Sequence, residues 1–421
     1  MPDGPRHDLI KSYCETRDRT DTLAAELSPE DQMLQSMPAA SPTKWHRAHT
    51  TWFFETFVLA PNGIAPVEPR FGRLFNSYYE AAGPRHPRAQ RGILSRPSCD
   101  EIARYRAAID ARVVDLVLHA PREAWRAIEP VVRLGIAHEE QHQELVLTDI
   151  LHALSQSSLS PSYRRAPRPP GYRAGQDPEA LRFVPFEGGI AEIGAADAAF
   201  AFDSERPRHP VWLEPYSLAD RLLTVQEMKA FIADGGYRTP TLWLSEGWEL
   251  VRAQRLEAPL YARVEGGSYV VFGLDGPRQA CDDEPVSHVS FYEAEALARY
   301  LGGRLPTEAE WESASSHAPR DGNFLEGGAL TPRPADAGAF AVRQLFGDAW
   351  EWTRSSYEPY PGFRPQAGAL GEYNGKFMVN QIVLRGGSCL TPANHVRPSY
   401  RNYWSADTRF QATGVRIARD A

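Results

Sequence analysis

The sequence predicts an α+β chain in two parts, a four-helix bundle followed by a mixed domain of short strands and helices. Three observations carry this. Four long segments with apolar residues at helical spacing fill the first 155 residues or so. A Ser-, Pro- and Arg-rich stretch then breaks every periodicity. Beyond it Gly, Pro and Trp rise, and strand-like pieces alternate with turns. A length of 421 residues is too great for one compact core. The expected division is a helical domain over 1–155, a linker over 156–178 and a mixed domain over 179–421.

The first helix is expected over residues 7–27, with Leu9, Ile10, Tyr13, Leu23 and Leu27 as its apolar positions. The second runs over 44–59 and is entered through Ser41-Pro42-Thr43, where proline suits a helix start. Ser98 followed by Glu101 is a capping-box pattern and opens the third, over 101–119. Ile102, Tyr105, Ile109 and Val113 mark its buried face. The fourth spans 123–154, and the set reads as an up-down bundle. In the second part, strands are expected at 269–272 and 381–384 and helices at 225–234 and 290–301, the latter entered through Ser287-His288-Val289. No tandem repeat is present.

Composition excludes several classes. A net charge of −8 and a pI near 5.9 argue against a nucleic-acid binder. No apolar run reaches the length of a membrane span, and the first residues lack the apolar core of a signal peptide, so a cytoplasmic protein is expected. The four cysteines, Cys14, Cys99, Cys281 and Cys389, lie far apart without a C-x-x-C, against a cysteine zinc site. They are expected as reduced, mostly buried thiols.

The chemistry concentrates in His138-Glu139-Glu140-Gln141-His142. Histidines four residues apart on a helix share a face and make half a metal site. The letters also spell H-E-x-x-H, a zinc-protease pattern with Glu139 as base, but no further downstream histidine sits at the spacing that pattern needs. Glu144 lies about 200° around the helix from His142 and Glu139 about 100° from His138, so neither joins the pair. Asp149 is near the right face but two turns away. The third ligand is therefore expected upstream, in Trp45-His46-Arg47-Ala48-His49, where His46 and His49 compete. A non-catalytic binding module is the alternative from another class.

Five blocks of the second part resemble the formylglycine-generating-enzyme fold, itself similar to C-type lectins. They are 184–189, Gly303-Arg304-Leu305-Pro306-Thr307-Glu308-Ala309-Glu310-Trp311-Glu312, Gly347-Asp348-Ala349-Trp350-Glu351-Trp352, Arg385-Gly386-Gly387-Ser388 and Gly414-Val415-Arg416-Ile417. Their residue types suit scaffold. Arg304 is placed to pair with Glu308, Trp350 and Trp352 supply buried area, and the glycine pairs permit positive φ. Cys281 and Cys389 do not reproduce the cysteine pair of those enzymes, which argues against their activity.

The first part resembles DinB-like metal-binding domains, and the fusion resembles the ergothioneine-pathway sulfoxide synthases. Their signature, H-x-x-x-H-x-E with an earlier histidine after a Trp, is matched by His138, His142, Glu144 and His49. The segments 74–81, 83–88 and 400–404 belong to the same resemblance. It implies a non-haem Fe(II) held by His49, His138 and His142, with three positions left for O2, a thiolate and an imidazole. Iron suits the redox step and zinc does not. The implied reaction joins the C2 of hercynine (Nα-trimethylhistidine) to the thiol of cysteine or γ-glutamylcysteine and oxidises the sulfur to a sulfoxide.

Further roles follow on that reading. Tyr78 or Tyr79 donates a hydrogen bond or proton beside O2; adjacent tyrosines are expected to face different ways, with Tyr79 toward the iron. Arg85 and Arg88 clamp the carboxylate of the thiol substrate. Gln141 hydrogen-bonds hercynine. Tyr403 and Trp404 face its trimethylammonium and Asn402 its carboxylate, which places the site between the domains. A selenium- or ovothiol-type relative is the alternative within the class. The absence of a methyltransferase segment after residue 421 disfavours the ovothiol form, and Tyr78-Tyr79 with the short arginine loop favours free cysteine as the thiol donor.

Overall fold

The computed structural model describes residues 4–164, 178–196, 200–336 and 340–421. These form two compact units, Met1–Tyr163 with Gln366–Tyr373, and Arg164–Pro365 with Asn374–Ala421. Most of the Pro- and Arg-rich connector, 165–177, lies outside the described residues. No described helix is long and apolar enough to cross a membrane.

The first unit is built on α1 (Gly4–Ala25), α2 (Thr43–Phe54), the short α3 (Phe71–Phe75), α4 (Cys99–His119) and α5 (Arg122–Ser155). Ser98 caps α4 through the expected capping box with Glu101. Leu9 and Tyr13 from α1, Phe54 from α2, Tyr105, Ile109 and Val113 from α4 and Val132 from α5 meet in one apolar core. The second helix ends sooner than its periodicity predicts: residues 55–59 form a π-helical turn. Glu55, the first residue of that turn, accepts from the Tyr105 hydroxyl and the Val67 amide, both at 2.7 Å.

Two contacts bring the helices close. A Cβ on Gly135 would sit 2.4 Å from a ring carbon of Phe54, so this glycine lets α2 lie against α5 one turn before His138. Glu139 is fully buried and receives Arg17 Nη1 from α1 at 2.6 Å and Arg106 Nη2 from α4 at 3.1 Å. Arg17 also donates to Thr51 Oγ1 of α2 at 2.8 Å.

The second unit contains four small sheets among its described residues. In chain order its elements are β1 (Phe183–Phe186), β2 (Gly189–Ile193), β3 (His209–Leu213), β4 (Tyr216–Ala219), α6 (Val225–Ala233), α7 (Ser245–Gln254), β5 (Ala262–Glu265), β6 (Ser268–Gly273), β7 (Gly276–Gln279), α8 (Phe291–Tyr300), α9 (Glu308–Ser315), β8 (Trp350–Ser356), β9 (Ile382–Arg385), β10 (Asn402–Trp404), β11 (Thr413–Gly414) and β12 (Ala418–Asp420). The sheets run β1-β4-β12, β10-β9-β8-β11, β2-β3 and β5-β6-β7. Helices α7 and α9 are absent from the sequence reading. The capping box of Thr307 and Glu310 was the available signal for α9.

The expected Arg304–Glu308 pair is not formed. Arg304 binds Glu310 and Asp420, each at 2.7 Å, while Glu308 binds Arg385 at 2.8 Å and Arg401 at 2.9 Å. Glu310 lies in the capping box at the start of α9, and its carboxylate is already turned back to the Thr307 amide. Trp350 and Trp352 are buried as expected. Gly386 has φ +98° and would place a Cβ 2.6 Å from the Leu345 carbonyl, so only glycine fits.

Replacing Glu139 by Ala leaves two arginines facing an emptied, buried pocket, and a loss of about 3–5 kcal/mol is expected in urea unfolding. Gly135→Ala should cost about 1–3 kcal/mol by overpacking against Phe54 and Phe53. An exposed helical glycine would show the opposite sign on the same substitution, so a stabilised variant would rule out the close approach.

Candidate metal centre

His49 sits in the middle of α2, a helix whose every residue is buried. Trp45 lies one turn before it and Trp52 nearly one turn after. Their rings stack on the imidazole with centroids at 4.6 and 5.7 Å. This fixes the plane of His49, and its Nδ1 donates to the Phe75 carbonyl at 2.6 Å. Nε2 is thereby left bare and points at α5, 3.2 Å from His138 Nε2. His138 and His142 lie one turn apart with ring centroids at 4.6 Å. One nitrogen from each of His49, His138 and His142 falls within 4.8 Å of the others. Glu139 and Glu144 are not in this set.

All three imidazoles are held neutral. Burial pushes His138 down to about 3, against the opposing pull of Glu139. Burial, then the neighbouring His138, holds His49 and His142 well below the ordinary histidine range. His138 Nδ1 is buried without a hydrogen-bond partner. With His49 Nδ1 engaged by the Phe75 carbonyl, the His49 Nε2 lone pair faces the His138 ring, and the three imidazoles bring one nitrogen each to a common point. The donor set therefore fits a divalent transition metal with nitrogen ligands.

The competing histidine has a different place. His46 Nδ1 is 2.7 Å from His142 Nδ1, and its Nε2 is 3.0 Å from Asp149 Oδ2. The protease reading fails on Glu139. Burial alone would raise its carboxyl, but Arg17 and Arg106 more than offset this and hold it below the usual range. Both of its oxygens are occupied by guanidiniums, so it is not available as a base.

Tyr78 and Tyr79 do not face apart. They lie in the loop after α3, where Asn76 binds the Tyr79 backbone through both its amide atoms. Alternation needs a strand or helix, and this loop is neither. The rings stack at 4.5 Å with the hydroxyls 3.5 Å apart. Tyr79 is fully buried against Trp52 and Phe57, and Tyr78 lies toward Tyr373.

Tyr373 is missing from the sequence reading. Its hydroxyl donates to Gln141 Oε1, and its ring centroid is 5.6 Å from that of His138. The neighbouring Glu372 accepts from the Glu80 and Ala81 amides at 3.0 and 2.9 Å, which ties this segment to the Tyr78–Tyr79 loop. The residue lies more than 200 positions after the motif, in a Gly-bracketed stretch without periodicity. Arg91 is a second omission. It is buried, lies 3.4 Å above the Trp45 ring and donates to Ser41 and Ser77 hydroxyls. Burial pushes it down to about 9. Arg85 pairs with Glu80 at 2.8 Å and Arg88 donates to the Ala39 carbonyl; both are exposed.

In the second unit, Asn402, Tyr403 and Trp404 form β10, paired with β9. Strand alternation sends Asn402 and Trp404 to one face and Tyr403 to the other. Tyr403 stacks on Tyr357 at 4.0 Å and Trp404 meets Phe410 edge-on at 5.3 Å.

Comparison with known proteins agrees with both units. Residues 13–146 match the DinB superfamily and residues 173–421 the sulfatase-modifying factor enzyme 1-like domain. A hercynine oxygenase of Mycolicibacterium thermoresistibile is 32% identical, over 99% of this chain and 95% of its own. One from Mycolicibacterium smegmatis is 31% identical over 99% of each. A formylglycine-generating enzyme of Thermomonospora curvata is 27% identical over 57% of this chain and 94% of its own.

The depressed histidines have a consequence for the metal-free protein. Below the unfolded value of about 6.5 the unfolded chain takes up protons that the folded site refuses, so stability falls as pH drops from there toward 3. Replacing His138 by Gln should flatten the slope of unfolding free energy between pH 6 and 4 by up to about 1.4 kcal/mol per pH unit. Urea titrations at several pH values measure it, and parallel slopes would contradict a buried neutral His138.

Proposed function

As a member of the hercynine oxygenase family this chain is an oxygenase, and we propose that it is a non-haem Fe(II) sulfoxide synthase of ergothioneine biosynthesis. The observation that carries the reading is the convergence of three neutral imidazoles from α2 and α5, two of them buried and His142 half-buried. Hercynine, a thiol and O2 give the S-linked sulfoxide and water. The C2–H and S–H bonds break and a C–S bond forms. One oxygen atom goes to sulfur and the other leaves as water with both hydrogens. O2 accepts four electrons, two from C–S formation and two from sulfur oxidation.

His49 and His142 would hold the metal through Nε2, since each engages a neighbour through Nδ1, and His138 would complete the set. Bound there, Fe(II) supplies the electrons that activate O2, which no side chain present supplies. Tyr373 Oη, held by Gln141, keeps a proton beside the triad for the reduced oxygen. Tyr78 and Tyr79, stacked behind it, extend the phenolic wall. Arg85 and Arg88 grip the carboxylate of cysteine or γ-glutamylcysteine. Trp404 supplies an aromatic face for the trimethylammonium and Asn402, on the same face of β10, a donor for the carboxylate, while Tyr403 on the other face braces the strand against Tyr357.

Anaerobic loading with Fe(II), followed by O2, hercynine and either cysteine or γ-glutamylcysteine, tests this by mass spectrometry. The hercynyl sulfoxide of one thiol is expected, and no coupled product with either thiol would overturn the reading. Tyr373→Phe should lower the coupling rate by about 10²–10⁴-fold without changing Fe(II) affinity, and an unchanged rate would remove Tyr373 from the chemistry.

A further inference from the structure

We propose that Asp149 and His46 form a relay that sets the tautomer of His142, making His46 a positioning residue for the metal. This rests on the three-histidine metal reading. Asp149 lies on α5, seven residues after His142, and is buried. Its Oδ2 accepts the Ser41 amide at 2.8 Å, which fixes the carboxylate at the start of α2. The same oxygen meets His46 Nε2 at 3.0 Å. A carboxylate only accepts, so His46 carries its hydrogen on Nε2. A neutral His46 then has a bare Nδ1 that can only accept.

That nitrogen lies 2.7 Å from His142 Nδ1. A contact this short between two ring nitrogens needs one donor, and the donor is His142 Nδ1–H. The hydrogen being there, the lone pair of His142 is on Nε2. The relay does for His142 what the Phe75 carbonyl does for His49. His138 Nδ1 has no equivalent partner. Two of the three ligands are thus locked in one tautomer before metal arrives, and the outer partners of a metal-bound histidine commonly govern affinity in this way.

Three forms of the full chain test it: wild type, His46→Leu and His46→Asn. Asparagine places an accepting oxygen near the Nδ1 position, and leucine fills the space without one. Anaerobic titration with Fe(II), and the visible spectrum of the Co(II)-loaded protein, report binding without turnover. His46→Leu should raise the Kd by about 10–100-fold and alter the Co(II) bands. His46→Asn should recover most of the affinity and the wild-type bands. A leucine variant with wild-type Kd, or an asparagine variant as weak as leucine, would overturn the relay. Wild type that takes up neither metal would overturn the metal reading and the relay with it. ¹⁵N-histidine spectra of the metal-free wild type need no folded variant. They should show Nδ1–H on His142 and Nε2–H on His46, and the reverse assignment would sink the proposal.

Discussion

The Glu139 carboxylate, buried among four helices, is the constraint on which the first unit turns. Arg17 reaches it from α1 and Arg106 from α4, and Arg17 continues to Thr51 on α2. A buried ionic cluster is weak evidence for net stability, because desolvation offsets most of the attraction. Its value here is register. Glu139 directly follows His138, so pinning it toward α1 and α4 turns the His138–His142 face toward α2. The H-E-x-x-H spelling therefore has a structural meaning: the glutamate orients the helix, and the histidines on the adjacent face are free for a metal.

Around that face the structure removes freedom from two of the three imidazoles, each by a different device. His49 is held by two indoles and a backbone carbonyl. His142 is held by His46 and, through it, Asp149. Arg91, on the Trp45 ring, places a positive charge near the site and disfavours protonation of His49 and His142. The common result is a set of neutral nitrogens, which suits a transition metal with nitrogen ligands.

The second unit uses arginine–carboxylate pairs differently, as fasteners for an irregular chain. Arg416 binds Glu351 at 2.8 Å, Arg385 binds Glu308 and Glu312, and Arg409 binds Glu293. Short strands bury little side-chain area by themselves, so these pairs join segments 65 to 116 residues apart. Most of the partners belong to the sequence blocks that marked this unit. Those blocks supply both halves of the Arg416 and Arg385 pairs and so were legible as scaffold, although the specific pairing was not. Arg304 chose Glu310 over Glu308 because the helix cap had already turned Glu310 toward it.

By itself the sequence determined the four long helices, the capping box at Ser98, and the pairing of His138 with His142. All are local: a helical period and a cap are written within a few residues. It also placed a histidine upstream, but the choice between His46 and His49 came from family resemblance, since three residues on one helix leave both partly facing the same way. The tertiary structure alone decided the rest. It set His49 Nε2 beside His138 and His46 between His142 and Asp149, stacked Tyr78 on Tyr79, buried Arg91, and brought Tyr373 to Gln141. Each of these joins segments that periodicity does not link, and which partner a side chain meets there depends on packing across the unit, not on spacing along the chain.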